Sequence, residues 1–419
     1  MELFINEQIE KLCSTLRDYS VTERKEITDI EYTESGYRGS EGAPKDGWQH
    51  FHLNTVLSGT DKHYWFRFNI NCENAGEHKK HFLKFQTGRE GTWDAINPQG
   101  LVFINGKATQ GIDVNHTELL LDYDKAEVLL YFYTGMDKCD IKLSVMLETV
   151  DDRILGAMYD FYVPYGAMMC FKKTDENYIA LQKQLEIAAD MIDLREPYSY
   201  EFYKTLGDAA EYLKNNLYGG ICGNSTNTVN CIGHTHIDVA WLWTLAQTRE
   251  KAQRSFATVL KLMDEYPEFL FMSSQPQLYE YVKESSPELY ERIKKRVEEG
   301  RFEPEGSMWL EADCNLTSGE SLVRQIIHGK RFFKEEFGID NKVLWMPDVF
   351  GYSASMPQIL KKSGIEHFVT SKISWNQTNT IPYDTFMWQG IDGSEVFTNF
   401  ITTQEAKPGG ETECGTTYV

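Results

Sequence analysis

The stretch TVNCIGHTHIDVAWLW, residues 228–243, changes character within a few positions. A short apolar run ends at Gly233, and two imidazoles and a carboxylate follow at His234, His236 and Asp238. Apolar runs of about four to eight residues bounded by glycine are typical of strands buried in a parallel sheet. The stretch therefore predicts a strand that ends in a polar loop, which is either a metal site or a turn that carries histidines.

The same order of strand, polar loop and amphipathic helix recurs further along the chain. Strands are predicted at 228–233, 269–274, 301–306, 342–347 and 367–371, and helices at about 247–266, 277–297, 318–337 and 355–363. Strands that alternate with helices favour a mostly parallel sheet covered by helices on both faces, which is an α/β fold. We assign residues 228–419 to this β/α domain.

Residues 64–149 have the period of two that is typical of strands. Aromatic and β-branched residues alternate with polar ones in short runs, and an Asn105-Gly106 pair marks a hairpin turn. This pattern predicts an antiparallel β-sandwich. Before it, residues 5–19 predict a short amphipathic helix, which a glycine-rich loop follows. We place all of these in an N-terminal domain at 1–155.

Residues 175–218 switch to helical spacing. Their apolar side chains recur every three to four positions, which predicts two helices, and Gly219 and Gly220 end the second. These helices form a connector at 156–227 between the sandwich and the β/α domain.

Charge and composition narrow the classes of partner. The 42 basic and 63 acidic residues give a formal charge of −21, which disfavours nucleic acid and anionic membranes. No apolar run is long enough to span a membrane, and the first residues lack the apolar core of a secretory signal. The eight cysteines form no CxxC pair and indicate reduced thiols in a cytoplasmic protein. The oligomeric state stays open, a homo-oligomer included.

Polar and aromatic side chains follow the predicted strands at the points where the strands end. Such residues are His236 and Asp238, Ser274 and Gln275, Trp309, Glu311 and Asp313, Asp348 and Phe350, and Lys372. Parallel sheets bind ligands beyond the carboxyl ends of their strands, so these clusters are expected on one rim. Aromatic rings there, Trp241 and Phe350 among them, suit the apolar C–H faces of sugars.

The first cluster has the donor chemistry of a metal site. His236 and Asp238 lie two positions apart on one loop, where both side chains can turn towards one point, and imidazole with carboxylate suits Zn²⁺. His234 is either a third ligand or a group that orients the others. The alternative is that both histidines are hydrogen-bonded loop residues.

Asp348 is the second candidate for the metal. It follows Pro347, which lacks an N–H, ends strand pairing and points the next carboxylate out of the sheet. An oxygen not used for a metal could attack a substrate carbon. The alternative is that Asp348 caps the helix after it, although Phe350 and Tyr352 add apolar surface that a cap does not need.

Two segments, GHTHIDVAWLW (233–243) and WMPDVFGYSASMPQILKKSGI (345–365), resemble the signature segments of the glycoside hydrolase family 38 α-mannosidases. The resemblance covers about residues 228–400, since the segments at 301–333 and 367–379 are also similar in kind and order. The sandwich and helices resemble the amino-terminal region of the cytosolic branch. The resemblance implies the N-terminal part of a catalytic domain that is similar to a seven-stranded barrel.

The resemblance also implies roles at matching positions. His236 and Asp238 correspond to ligands of one zinc ion, and Asp348 to the nucleophile of retaining α-mannoside hydrolysis, which also touches the zinc. Five further positions correspond to residues that contact the substrate, a glycan or an oligosaccharide. Trp241 and Phe350 line the mannose subsite, and Lys372 faces the sugar. Glu311 and Asp313 lie in a motif near the pocket.

In the family, the second zinc-binding histidine and the general acid lie further along the chain than residue 419. The resemblance therefore implies that this sequence holds part of the catalytic domain, whose activity as a fragment stays open. His234, His328 or His367 could complete the metal sphere, which would then be weaker.

Two alternatives to a glycosidase remain. An HxHxD motif also opens the metal site of metallo-β-lactamase-like hydrolases, but Val239 stands where those enzymes usually carry another histidine, and that interpretation leaves the Asp348 loop unexplained. The chain could instead be a carbohydrate-binding protein, in which the sandwich recognises sugar and the β/α domain is inactive.

Overall fold

The computed structural model describes residues 4–35, 42–93, 95–223, 228–375, 378, 381–401, 405–407 and 411–413. Its helices are α1 (Ile5–Ser20), α2 (Asp152–Met169), α3 (Glu176–Met191), α4 (Tyr200–Leu213), α5 (Leu245–Glu265), α6 (Pro276–Ser285), α7 (Pro287–Glu298), α8 (Gly319–Phe337) and α9 (Met356–Lys362). A π-helical segment, Lys214–Ile221, continues α4, and a 3₁₀ turn spans Lys372–Trp375. Within this described part, no helix is both long and apolar enough to cross a membrane.

The strands lie in an N-terminal and a C-terminal group. The N-terminal group is β1 (Val21–Glu26), β2 (Glu31–Ser35), β3 (Gln49–His50), β4 (Leu57–Gly59), β5 (His63–Asn71), β6 (Lys79–Gln86), β7 (Gln99–Ile104), β8 (Lys107–Ile112), β9 (Glu118–Leu120), β10 (Lys125–Tyr133), β11 (Cys139–Ile141) and β12 (Ser144–Asp151). The C-terminal group is β13 (Gly233–His234), β14 (Phe271–Ser273), β15 (Phe302–Pro304), β16 (Val343–Met346), β17 (His367–Thr370), β18 (Thr385–Gln389), β19 (Glu395–Phe400), β20 (Glu405–Lys407) and β21 (Glu411–Glu413).

The N-terminal strands form antiparallel sheets, as the alternating pattern predicts. One sheet has the order β1-β12-β6-β9 and the other the order β3-β2-β5-β10-β7-β8. Along β10 the side chains of Val128, Leu130 and Phe132 are fully buried in a shared core, while Glu127, just before them, is exposed. Successive side chains of a strand point to opposite faces, so one face of β10 is packed on the core.

The segment before residue 63 differs from the expected helix and loop. The helix is present as α1, but β1 then pairs with β12, and β2, which carries β3 on its other edge, pairs with β5. The sequence of β1, VTERKE, leaves its last four side chains exposed. A strand that packs few apolar side chains has no alternating signal, so its backbone pairing is invisible to pattern analysis.

Four helices share a second apolar core. α1, α2, α3 and α4 bury one cluster that includes Leu16, Phe161, Leu185 and Phe202. Helix α2 is not predicted from the sequence, where helical spacing is recognised only from residue 175. The leading helix therefore packs on this helical cluster, and the division of the chain at 155 and 227 remains a proposal.

Strands β13–β19 form a mostly parallel sheet whose strand order follows the chain from β13 to β17. β13-β14-β15 and β16-β17-β19 are parallel neighbours, a parallel bridge between Gly306 and Leu344 joins the two sets, and β18 adds an antiparallel strand beside β19. Right-handed crossovers that always advance in one direction place the helices on one side of the sheet. Consistent with this, α5 contacts α6 and α7, α7 contacts α8, and α8 contacts α9.

This order corrects the expectation of helices on both faces. A doubly covered sheet reverses its strand order at a switch point, whereas the order here advances without reversal from β13 to β17, as in a barrel wall. The single helix expected at 277–297 is also corrected, since two helices, α6 and α7, occupy this range. Pro287 lacks an N–H and keeps the backbone of Ser286 out of the helical region, with φ −148° and ψ 73°.

Helix α5 is the main contact between the sandwich and the β/α domain. The Gly111 N–H of β8 donates to Thr258 Oγ1 at 2.9 Å, and a side chain at Gly111 would come within 3.1 Å of the Arg254 Cβ. Gln99 Oε1 accepts hydrogen bonds from Lys251 and Arg254, each at 2.7 Å. Burial lowers the pKa of Lys251 to about 7. The two domains are therefore joined by close backbone contact and buried hydrogen bonds.

Candidate metal centre and active site

The ends of the neighbouring parallel strands bring the predicted clusters to one rim. The loop after β13 carries His236 and Asp238, the loop after β15 carries Glu311, and the loop after β16 carries Asp348. Lys372 follows β17 and Gln275 follows β14. Since these strands are parallel and adjacent, their carboxyl ends lie side by side. Loops that are far apart in sequence thus meet in one site.

His236, Asp238 and Asp348 converge on one point. His236 Nε2 lies 3.1 Å from Asp238 Oδ1 and 3.4 Å from Asp348 Oδ2, and one ligand atom from each residue lies within 4.8 Å of the others. Ligand bonds of about 2.1 Å in a tetrahedral zinc site put neighbouring donors about 3.4 Å apart. The three side chains therefore have the spacing and the donor chemistry of a partial metal sphere.

The charge around His236 also suits a cation. Burial alone would lower the pKa of His236, but the carboxylates of Glu311, Asp238 and Asp348 outweigh burial and raise it to about 12. The imidazole is only 12% exposed, so water screens these acids poorly. A group of acids this close around one imidazole needs a positive charge among them, which a proton or a metal ion supplies.

Glu311 lies on the other side of the His236 ring. Its Oε1 is 3.3 Å from His236 Nδ1 and accepts a hydrogen bond from Ser274 Oγ at 3.2 Å. Among the described residues, neither Glu311 Oε2 nor His236 Nδ1 has a partner with hydrogen-bond geometry. A carboxylate behind a metal-binding imidazole fixes its orientation and tautomer. The Glu311 side chain is 6% exposed, so this position fits an orienting group, and its substrate contact stays a prediction.

His234 is engaged through both ring nitrogens. Its Nδ1 is 3.0 Å from the Met272 carbonyl oxygen, and Trp345 Nε1 donates to its Nε2 at 3.3 Å. Since a carbonyl only accepts, Nδ1 carries the proton, and burial lowers the pKa of His234. His234 therefore belongs to the sheet wall, and it lies outside the group of possible metal ligands in the described residues.

Gln275 links two of the site loops. Its Nε2 donates to the Ile237 carbonyl at 3.0 Å and its Oε1 accepts from the Glu311 N–H at 3.4 Å. Its backbone is left-handed, with φ 63°, which is uncommon for a residue other than glycine and is held by its surroundings. Gln275 therefore holds the His236 loop and the Glu311 loop together. The sequence predicts a polar residue at this strand end but does not predict these two hydrogen bonds.

Asp348 pairs with Lys372 as well as with His236. Lys372 Nζ lies 2.8 Å from Asp348 Oδ1 and 5.0 Å from the centre of the Phe350 ring. Burial would raise the pKa of Asp348, but His236 and Lys372 outweigh it and lower the pKa. Asp348 is therefore ionised at neutral pH, the state that both a metal ligand and a nucleophile require. Phe350, 61% exposed, covers the lysine towards solvent.

Trp241 lies one step away from the metal ligands, in a row of indole rings. Its ring centre is 5.5 Å from that of Trp243, whose Nε1 donates to the Asp238 carbonyl at 3.2 Å. On its other side Trp93, from the loop before β7, approaches it to 5.7 Å. Trp93 is not predicted from the sequence. The sequence shows only a tryptophan in a polar loop, and this feature by itself does not predict a contact with a residue of another domain.

Asp313 is separate from these side chains. Its Oδ1 accepts hydrogen bonds from the N–H groups of Asn315 and Leu316, at 2.8 and 2.7 Å, and its side chain is exposed. An aspartate that bonds N–H groups two and three residues ahead stabilises a turn. Of the two acids in the motif, Glu311 reaches the site and Asp313 shapes the loop.

With this geometry in place, comparisons with known proteins identify the class. Residues 226–418 match the family model described as glycosyl hydrolases family 38, N-terminal domain. The chain belongs to glycosyl hydrolase family 38, and the matched part is the N-terminal domain of that family. This confirms the resemblance inferred from the two signature segments.

Relatives in other organisms agree with the family. The chain is 35% identical over 324 residues to alpha-mannosidase G of Dictyostelium discoideum, which covers 72% of this chain and 30% of that protein. It is 44% identical over 216 residues to alpha-mannosidase 2C1 of Homo sapiens, which covers 52% of this chain and 20% of that protein. The chain thus spans less than a third of the length of these relatives.

A solved structure of an alpha-mannosidase from Enterococcus faecalis V583 is also similar. The matched regions are 23% identical in sequence and cover 41% of this chain and 19% of the solved chain, with a TM-score of 0.35. A TM-score of this size does not establish a common arrangement of the whole chain.

Proposed function

We propose that this protein takes part in the hydrolysis of terminal α-linked mannose from glycans or oligosaccharides, as a zinc-dependent retaining α-mannosidase. The observation that carries the proposal is the convergence of His236, Asp238 and Asp348 on one point at the sheet rim. The family of the chain and the names of its relatives, which are alpha-mannosidases, support the substrate class. A cytoplasmic location and a homo-oligomer remain expectations from the sequence.

Zinc fits the donor set better than magnesium or calcium. One imidazole nitrogen and two carboxylate oxygens are ligands that zinc accepts, whereas magnesium and calcium prefer all-oxygen spheres. We propose one ion per chain, held by His236, Asp238 and Asp348, with Glu311 behind the imidazole. When bound, the ion would supply Lewis acidity and a fixed attachment point for sugar hydroxyls.

Asp348 is the proposed nucleophile. Retaining hydrolysis requires a carboxylate that attacks the anomeric carbon and a carboxylic acid that protonates the leaving oxygen, after which water releases the sugar. The lowered pKa of Asp348 keeps it ionised for the first step. Lys372, 2.8 Å from Asp348 Oδ1, holds that oxygen in place and offsets negative charge next to His236. Phe350 presents an exposed ring to the apolar face of a sugar.

The alternative functions fit the geometry less well. A protein that only binds carbohydrate has no need to hold a half-buried, ionised aspartate against both a histidine and a lysine. A metallo-β-lactamase-like hydrolase would use the HxHxD loop but not the Asp348 loop, and here Asp348 Oδ2 is 3.4 Å from His236 Nε2. The contact between these two loops therefore favours a glycosidase.

Substitution of the nucleophile tests the proposal. In the protein expressed from its complete coding sequence, we expect Asp348→Ala to lower 4-nitrophenyl α-mannoside hydrolysis by about three orders of magnitude or more, because the covalent step loses its attacking group. The matched control is Glu335→Ala, which removes an exposed carboxylate from α8. Mannoside hydrolysis that survives Asp348→Ala, or a wild-type protein that cleaves an ester or a lactam instead, would exclude this function.

A further inference from the structure

The row of indole rings beside the metal centre crosses from one domain to the other. Trp243 and Trp241 belong to the loop that leaves β13, and Trp93 belongs to a loop of the sandwich. The ring centres are 5.5 Å apart from Trp243 to Trp241 and 5.7 Å apart from Trp241 to Trp93. The row begins at Asp238, whose carbonyl accepts the Trp243 N–H. It therefore runs outward from the proposed metal ligands to the sandwich.

The two outer rings form an exposed corner. Trp93 is 57% exposed and Trp241 is 54% exposed, and their ring planes meet at 85°. Large apolar side chains grouped at the edge of a polar site are typical of ligand-binding surfaces. Perpendicular rings offer one face for stacking and a second face as a side wall, which suits a rigid ring that has apolar faces and polar edges.

The backbone around Trp93 is tied down. Asn115 Nδ2 donates to the Thr92 carbonyl at 2.9 Å, and the Ile96 N–H donates to the Trp93 carbonyl at 2.9 Å. The Gly91 N–H donates to the Val114 carbonyl at 3.1 Å. The sandwich thus presents the indole from a loop fixed on both sides, which lowers the conformational entropy that a ligand would have to remove.

We propose that Trp93, with the face of Trp241 that meets it, forms a subsite for a second pyranose ring, the sugar unit next to the mannose that Trp241 is also expected to line. The proposal rests on the proposed function, because it takes a carbohydrate at Asp238 and Asp348 as its starting point. The corner is connected to that position through Trp243, so a chain of linked sugars that extends from it towards the sandwich would meet the outer rings. The sandwich would then contribute a residue that selects for oligosaccharides over single sugars.

Two substrates separate the subsite from the catalytic site. An α-linked mannobiose has a second sugar, and α-mannosyl fluoride has none. We expect Trp93→Ala, in the protein from its complete coding sequence, to lower kcat/KM for mannobiose relative to the fluoride by about 3- to 10-fold, the usual size of one aromatic stacking contact. Trp93→Phe keeps an aromatic face and should recover most of the ratio. Tyr200→Ala, which removes an aromatic side chain that is 83% exposed on α4, should leave the ratio as in the wild type.

The outcomes are distinct. An unchanged ratio in Trp93→Ala, with both substrates still hydrolysed, would overturn the subsite and leave the proposed function intact. A wild-type protein that hydrolyses neither substrate would overturn both. A change in sedimentation coefficient in Trp93→Ala, with equal loss on both substrates, would show that the corner is instead a contact between two copies of the chain and would also overturn the subsite.

Discussion

Single side chains decide how the imidazole of the candidate metal centre is oriented. His236 faces two aspartates with Nε2 and a third acid, Glu311, with Nδ1. The distinction between the two nitrogens matters, since a metal would take Nε2 only if Nδ1 carries the proton. Ser274 in turn donates to Glu311. Ser274, Glu311 and His236 therefore form a chain of polar groups that sets which ring nitrogen of the imidazole is available to a cation.

This arrangement predicts a loss of metal affinity when the orienting charge is removed. We expect Glu311→Gln to weaken zinc binding by about 10- to 100-fold, because the amide no longer attracts the Nδ1 proton as a carboxylate does. Competition with a chromogenic chelator measures the affinity. Glu303→Gln, an exposed acid on β15, is the matched control. Equal zinc affinity in Glu311→Gln and the wild type would show that Glu311 does not orient the imidazole.

At the scale of elements, the loops of the sandwich that approach the site are held by charge. Asp113 accepts hydrogen bonds from the N–H groups of Asn115 and His116, and its Oδ2 lies 2.9 Å from His116 Nδ1. Burial would raise the pKa of Asp113, but the bonds and charge from His116 and the bond from Asn115 outweigh it and lower the pKa to about 2. This carboxylate anchors the loop to which the backbone before Trp93 is bonded.

The direction of this shift gives a dependence on pH. The folded pKa of about 2 lies below the unfolded value of 3.8, so the charge stabilises the fold above pH 3.8 and this contribution disappears as the pH falls through 2. We expect Asp113→Asn to lower the free energy of unfolding by about 2 kcal/mol at pH 7 and by little at pH 2. Urea unfolding at pH 7 and at pH 2 measures the free energy of unfolding. An equal loss of this free energy at both pH values would assign the effect to hydrogen bonds and not to charge.

At the scale of the whole molecule, contacts run from the sandwich through α5 to the loop that carries Asp238. Lys251 donates to Gln99 of the sandwich, and its Nζ lies 4.1 Å above the ring of Trp243, which bonds the Asp238 carbonyl. A change at the domain contact can therefore reach the metal loop through three residues.

The buried polar contact between the domains predicts a large cost for its removal. We expect Gln99→Leu to lower the free energy of unfolding by about 2–4 kcal/mol, because Lys251 and Arg254 both lose their acceptor while they remain buried. The midpoint of urea unfolding, followed by circular dichroism, reports the change. Gln8→Leu, at an exposed position of α1, controls for the substitution itself. A midpoint equal to that of the wild type would mean that water replaces Gln99 without cost.

Much of the architecture and part of the site follow from the sequence. The period of two at 64–149, the helical spacing of α3, α4, α8 and α9, and the order of strand and helix after residue 228 are local patterns, so each predicts its element without knowledge of the rest. The convergence of His236, Asp238 and Asp348 also follows, because the carboxyl ends of adjacent parallel strands share an edge.

Tertiary structure alone decides what depends on contacts between elements. Glu311 and Asp313 are two residues apart in one loop, yet only Glu311 lies against His236, since packing chooses which side chain turns inward. β1 has a charged sequence and becomes a strand through its backbone pairing with β12. Trp93 and Trp241 come from different parts of the chain, which are also in contact where α5 packs on β8. Local sequence determines the hydrophobic period, the turns and the helix caps. Whether two side chains that are distant in sequence come into contact depends instead on how the surfaces that carry them pack together.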